Sequence, residues 1–135
     1  MPRKGKGPRA TGRGRAGRSV TYNVVRKLAL AMPGVEDSRS YGTPALKVRG
    51  RLLARLKEDG RTLVVIVDFG MREALMQAEP GTFFITDHYL NYPAILVRLA
   101  TVRPARLREI LRHGWRRVAP ARVRSGQDDV RGGAG

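Results

Sequence analysis

Gly12, Gly14 and Gly17 stand in the spacing G-x-G-x-x-G, and Glu36 and Asp37 follow about twenty residues later. Glycines so spaced let a backbone approach a dinucleotide's pyrophosphate, and a downstream acid binds a ribose hydroxyl. That chemistry needs a strand before the glycines and a helix behind them, inside a parallel βαβ unit. Only eleven residues precede Gly12, and they are basic and rich in Gly and Pro. No strand fits there, and the pattern is accidental. Asp68-Phe69-Gly70 imitates the magnesium-binding triplet of protein kinases, but no catalytic loop or nucleotide lid accompanies it. It reads as a strand end and a turn.

Acid–base chemistry has few carriers. The chain holds two histidines. His113 lies in an Arg-rich helical stretch and reads as solvated. His88 lies in "TDHYLNYP", where Asp87, His88, Tyr89 and Tyr92 could form a small site. Adjacent side chains on an extended chain point to opposite faces, so Asp87 need not meet His88. The plainer reading is that His88 and Tyr89 hydrogen-bond the loop to the domain. Glu36-Asp37 and Glu58-Asp59 read as solvated acids in turns, whereas a metal site needs several ligands at matched spacing. Cysteine is absent, which removes disulfides, thiolate zinc sites and a cysteine nucleophile. No set of residues supplies nucleophile, base and oxyanion donors together, so no enzyme activity, cofactor or metal is expected.

Charge is the stronger signal. Twenty-seven Lys and Arg face eleven Asp and Glu, for a net charge of +16. Such a field attracts polyanions. Arg3, Lys4, Lys6, Arg9, Arg13, Arg15 and Arg18 crowd the first 18 residues, which hold no acid and almost no apolar side chain. A segment like that buries too little to offset its chain entropy, so residues 1–18 are expected to be a disordered basic arm. "GRGRAGR" resembles an AT-hook, in which Arg-Gly-Arg enters a narrow minor groove. The hook's Pro is Ala16 here, so the segment supports electrostatic binding only. Residues 122–135 are expected to be a flexible tail. No apolar run approaches the ~20 residues of a membrane span. A cytoplasmic location with no membrane partner is the expectation.

The elements between these ends must position whatever site exists. Val24, Val25, Leu28, Ala31 and Met32 recur at helical spacing, and Pro33-Gly34 stops that helix. "ALKVRGRLLARL" alternates on both sides of Arg49-Gly50 and reads as a hairpin with one mainly basic face. Tyr41-Gly42-Thr43-Pro44 leads into it, with Tyr41 packing on the loop or lining a groove. "TLVVIVD" reads as a buried strand, "MREALMQA" as a short helix, and "FFITD" and "AILVRLA" as two more strands. Pro104 opens a last helix with Leu107, Ile110, Leu111, Trp115 and Val118 on its apolar stripe. The order α-β-β-β-α-β-β-α predicts an α+β fold, with terminal helices on one face of an antiparallel sheet. Lys47, Arg49, Arg51, Arg55 and Arg98 are the candidates for the other, partly open face.

"LALAMPGVEDSRSYGTPALKVRGRLLARL", "LVVIVDFGMREALMQAEPGTFFITDHYLNYPAILVRLA" and "LREILRHGWRRVAP" together resemble the MmcQ/YjbR-like family, over about residues 20–121. The resemblance implies one domain across residues 19–121, a frataxin-like arrangement and the label "DNA-binding"; it carries over no catalytic residue. The chain departs from the family where Pro93 and Ala94 replace a frequent Trp. It departs again at Arg103, Ala105 and Arg106, where relatives often carry acids, and this makes it more basic. The expected function is low-specificity, non-enzymatic nucleic-acid association through the arm and the hairpin face, with DNA ahead of RNA. The alternative is a small-molecule or protein-partner module using the loop around Tyr41, His88 and Tyr89.

Overall fold

The computed structural model describes residues 19–125. Helix α1 (Tyr22–Leu30) starts where the Thr21 hydroxyl accepts the Val24 amide, and it buries Val25 and Ala29. The chain then runs through β1 (Val35–Ser40), β2 (Thr43–Val48), β3 (Arg51–Leu56) and β4 (Thr62–Ile66). Helix α2 (Phe69–Ala78), β5 (Phe83–Phe84), a 3-10 turn at Asp87–Tyr89 and β6 (Ala94–Arg98) follow. Helix α3 (Pro104–Val118) and the short α4 (Ala121–Arg124) close the described chain. The six strands form one antiparallel sheet in the order β1-β2-β3-β4-β6-β5. The expected α+β fold, with an antiparallel sheet and terminal helices against it, is what forms.

Helix α3 lies on β3 and β4, and α1 lies against α3 and β1. Gly114 allows the first contact, because a Cβ there would overlap the Ile66 carbonyl oxygen and come within 3.0 Å of Leu53 Cδ1. Trp115 Nε1 donates to the Pro33 carbonyl at 2.8 Å, tying α3 to the turn after α1. Arg26 clamps Asp37 through Nε and Nη2 at 2.8 and 2.6 Å, joining α1 to the edge strand. Asp37 is therefore an ion-paired strand residue, not a solvated loop acid.

Three features depart from the expected layout. Strand β1 has no signature in the sequence, because "VEDSRS" buries only Val35 and lacks an apolar alternation. It forms as an edge strand whose backbone pairs along the whole of β2. The segment after Asp68 is a helix, not a turn: the Asp68 carboxylate caps α2 by accepting the Met71 amide at 2.7 Å. The tail expected from residue 122 begins later, because Val123 is buried against Gly34 and α4 extends the folded unit. The arm at 1–18 and the remainder of the expected tail lie outside the described residues.

Two tight hairpins set the geometry of the site. Ser40 pairs with Thr43, leaving Tyr41-Gly42 as a two-residue turn with φ of +54° and +79°. Val48 pairs with Arg51, leaving Arg49-Gly50 as a second such turn, at +51° and +80°. Positive φ at both central residues is the type I′ geometry that matches strand twist. It suits Gly at the second position and costs a bulky residue about 1 kcal/mol at the first.

Candidate functional site

Strand β3 does not keep a simple alternation. Ala54 pairs with Leu46 and Leu52 pairs with Lys47, so Leu53 is an extra residue, a β-bulge. Side chains opposite each other across an antiparallel pair share a face. Leu52 and Arg55 therefore join Ala45 and Lys47 on the face away from α3. Leu53 contacts α3, and Arg51 pairs with Val48 on that same side of the bulge. The single basic face expected on the hairpin is divided. Lys47, Arg55 and Arg98 lie on the pocket side, Arg51 lies on the other, and Arg49 sits in the turn.

These cations also differ in what surrounds them. Lys47 stands opposite Glu36. The Arg98 guanidinium stacks 4.1 Å from the Phe84 ring centroid. Arg55, expected to face solvent, is only 7% exposed. Its Nη1 donates to Thr43 Oγ1 at 3.2 Å and to the Leu56 carbonyl at 3.4 Å, and its Nη2 reaches the Tyr89 hydroxyl at 3.5 Å. Glu58 lies 3.6 Å away. A hydrogen bond from Glu58's own backbone amide, reinforced by Arg55 and Lys57, holds that carboxyl below the usual range.

Arg55 stands at the floor of a cleft of about 520 Å³ lined also by Tyr41, Leu52, Glu58, Val64, His88, Tyr89 and Tyr92. The structure thus brings together Tyr41, His88, Tyr89 and Tyr92, four residues singled out from two distant sequence segments. Tyr41 comes from the β1–β2 turn and is 83% exposed, with its ring 5.1 Å from the Arg55 guanidinium. The opposite wall is the loop after β5, where His88 and Tyr89 meet edge to face at 5.0 Å.

That loop is held from beneath by Arg72 of α2. The buried guanidinium donates to the carbonyls of Tyr89, Tyr92 and Leu90, each at 2.9 Å, and to Ala94 at 3.4 Å. Arg72 adds a side-chain donor to the loop's own backbone bonds, Tyr92 amide to Tyr89 carbonyl and Ala94 amide to Tyr92 carbonyl; nothing in the sequence marks it, since a lone Arg in an amphipathic helix looks like a surface residue. His113, expected to be solvated, sits 3.2 Å from Asp68 Oδ2 and links α3 to the cap of α2. The Met71 amide, then His113, holds the Asp68 carboxyl below its ordinary value. Among the described residues no three His, Asp or Glu side chains gather as a metal-ligand set.

A second basic feature lies on α3. Arg108, Arg112 and Arg116 are exposed and spaced four residues apart, so they form one row about 12 Å long. The single acid of α3, Glu109, pairs with Arg106 at 3.0 Å, and Arg106 also reaches Glu79 at 2.9 Å. Arg3, Lys4, Lys6, Arg9, Arg13, Arg15 and Arg18 lie outside the described residues.

Fold and cleft define a small α+β domain whose sheet carries helices on one face and an aromatic cleft on the other. The chain belongs to the YjbR family, whose family model matches residues 30–117. Uncharacterised proteins from Mycobacterium bovis and from two strains of Mycobacterium tuberculosis are each 40% identical to it over 60 residues, which is 44% of this chain and 46% of the relative. The match therefore spans less than half the length of those curated relatives. The crystal structure of a Deinococcus radiodurans protein with a DUF419 domain superposes with a TM-score of 0.61. It is 24% identical, covering 72% of this chain and 77% of that one, and the likeness is one of fold. No helix among the described residues is long and apolar enough to cross a membrane.

Proposed function

We propose that this protein associates with nucleic acid without catalysing a reaction, through phosphate contacts of low sequence specificity. The observation that carries the reading is the Arg108–Arg112–Arg116 row. Like charges at i and i+4 cost a helix roughly 0.2–0.5 kcal/mol per pair. The first turn of α3 also lacks any acid to meet the positive end of the helix dipole, and has Arg103 at its cap instead. The helix dipole favours Arg116, in the last turn, but not Arg108 or Arg112, and no ion pair to any of the three is seen among the described residues, whereas a phosphate backbone would meet all three. Residues 19–125 hold nineteen Lys and Arg against nine Asp and Glu, so the attraction does not rest on the arm alone. DNA ranks ahead of RNA only by the label that the sequence resemblance implies. The reading puts the protein in the cytoplasm and assigns it no cofactor.

The test is a salt-series titration of the full chain against duplex DNA, single-stranded DNA and RNA side by side. Deleting residues 1–18 should weaken all of them about equally and flatten the log–log salt slope by about 3 to 5 units, at about 0.9 per duplex phosphate contact. Absence of salt-dependent binding to any of the three would remove the reading. A second reading, a small-molecule or protein-partner module, is favoured by one observation: Tyr41, His88, Tyr89 and Tyr92 line one cleft.

A further inference from the structure

The cleft has features that a generic solvated hollow does not need. Its volume of about 520 Å³ lies within the range of small-molecule sites. Its floor includes Leu52 and Val64, and its walls are aromatic. Beside His88 and the tyrosine hydroxyls, its charged lining groups are a donor, Arg55, and an acceptor, Glu58, that neutralise each other at 3.6 Å. A neutral pair of that kind suits a flat, uncharged ring bearing both acceptors and donors on its edge, and it does not select for a free anion. Tyr41 holds a left-handed backbone conformation at the rim, with most of its ring in solvent. Strain of this kind persists at sites where the side chain has a use beyond the fold. Tyr92, 43% exposed, adds a second ring at the rim.

The neighbouring hollow supplies what a nucleotide needs outside the base. A shallower depression of about 360 Å³ shares Leu52 and Tyr92 with the cleft and is flanked by Arg51 and Arg117. Both arginines are exposed. The two hollows meet at Leu52 and Tyr92, past the start of β3 and the end of β4, so a strand with its base in the cleft can run on round the sheet to Arg51 and Arg117.

We propose that the cleft takes one unstacked nucleobase of a single-stranded nucleic acid, stacked on Tyr41 and Tyr92, with Arg55 and Glu58 facing its edge and Arg51 and Arg117 on the adjoining phosphate. This rests on nucleic-acid association as the function and names the strand form and the contact that extend it. A duplex offers no free base face, so its contacts with the protein stay at the phosphates.

The experiment compares the full chain binding to a single-stranded oligonucleotide and to an abasic strand of equal length and charge, at one fixed ionic strength. Stacking predicts that the base-bearing strand binds about 5- to 150-fold more tightly. Tyr41→Asn removes the ring and suits the turn, and it should close most of that gap. Tyr92→Ala repeats the test at a residue on a different element. A gap that is absent, or that survives both substitutions, overturns the base pocket while nucleic-acid association stands. Failure of the unsubstituted chain to bind either strand overturns both.

Discussion

Tyr41 and Tyr22 are two tyrosines placed against ordinary folding preference. At Tyr41 the left-handed backbone costs about 1 kcal/mol, partly returned by the ring's contact with Arg55. Asn adopts that conformation more readily. Tyr41→Asn should therefore leave the unfolding free energy unchanged or raise it by up to about 1 kcal/mol, read from urea denaturation. A loss greater than that would contradict the turn geometry. Tyr22 carries a hydroxyl that is buried with no hydrogen-bond partner among the described residues. Burial, then the nearby Asp37 charge, pushes its pKa up to about 12. The folded state thus holds this proton more tightly than the unfolded chain, whose tyrosines titrate near about 10. The stability it contributes is complete below about pH 10 and drains as the pH climbs toward 12. Tyr22→Phe should stabilise the protein at neutral pH by about 1 kcal/mol and flatten the fall in stability above pH 10. An unchanged alkaline profile would show that Tyr22 is not its source.

Helix α3 and the loop after β5 depend on one residue each. Gly114 lets α3 sit directly on the backbone of β4. Ala is the better helix former by about 1 kcal/mol, yet its methyl would collide with the Ile66 carbonyl. Gly114→Ala should destabilise by about 2 kcal/mol net, and a thermal melt showing stabilisation would contradict the packing. Arg72→Met would remove the guanidinium's hydrogen bonds to the carbonyls of Tyr89, Leu90 and Tyr92. It should cost about 3 kcal/mol and open residues 87–93 to proteolysis. An intact loop in that variant would mean that Arg72 does not hold it. Elements of this kind differ in how openly the sequence shows them. Helices α1 to α3 and the β2–β3 hairpin stand out because their apolar residues recur at 3.6 or 2.0 residues. Strand β1 does not, because an edge strand with one buried residue is held by its neighbour's backbone. The bulge at Leu53 is invisible too, since the extra residue is set by pairing across strands, and it is what turns Arg55 inward. The aromatic wall of the cleft is legible as Tyr41 in one turn and Tyr89 and Tyr92 in a loop, while its floor, Leu52, Val64 and Arg55, exists only once the sheet has formed.

At the scale of the molecule, two faces divide the chemistry. One carries the cleft with its neutral Arg55–Glu58 pair, and the other carries the arginine row of α3. The central claim is that this row meets nucleic-acid phosphates. Reversing Arg108, Arg112 and Arg116 together to Glu leaves every buried residue of α3 in place, so the fold should survive, as circular dichroism can verify. The most direct measurement is the salt dependence of duplex DNA affinity for this variant and the parent, both as full chains. If the three side chains contact phosphates, the variant binds all duplex sequences more weakly to a similar degree, and its log–log slope is shallower by about 2 to 3 units. A folded variant with the parent's slope and affinity would contradict the account.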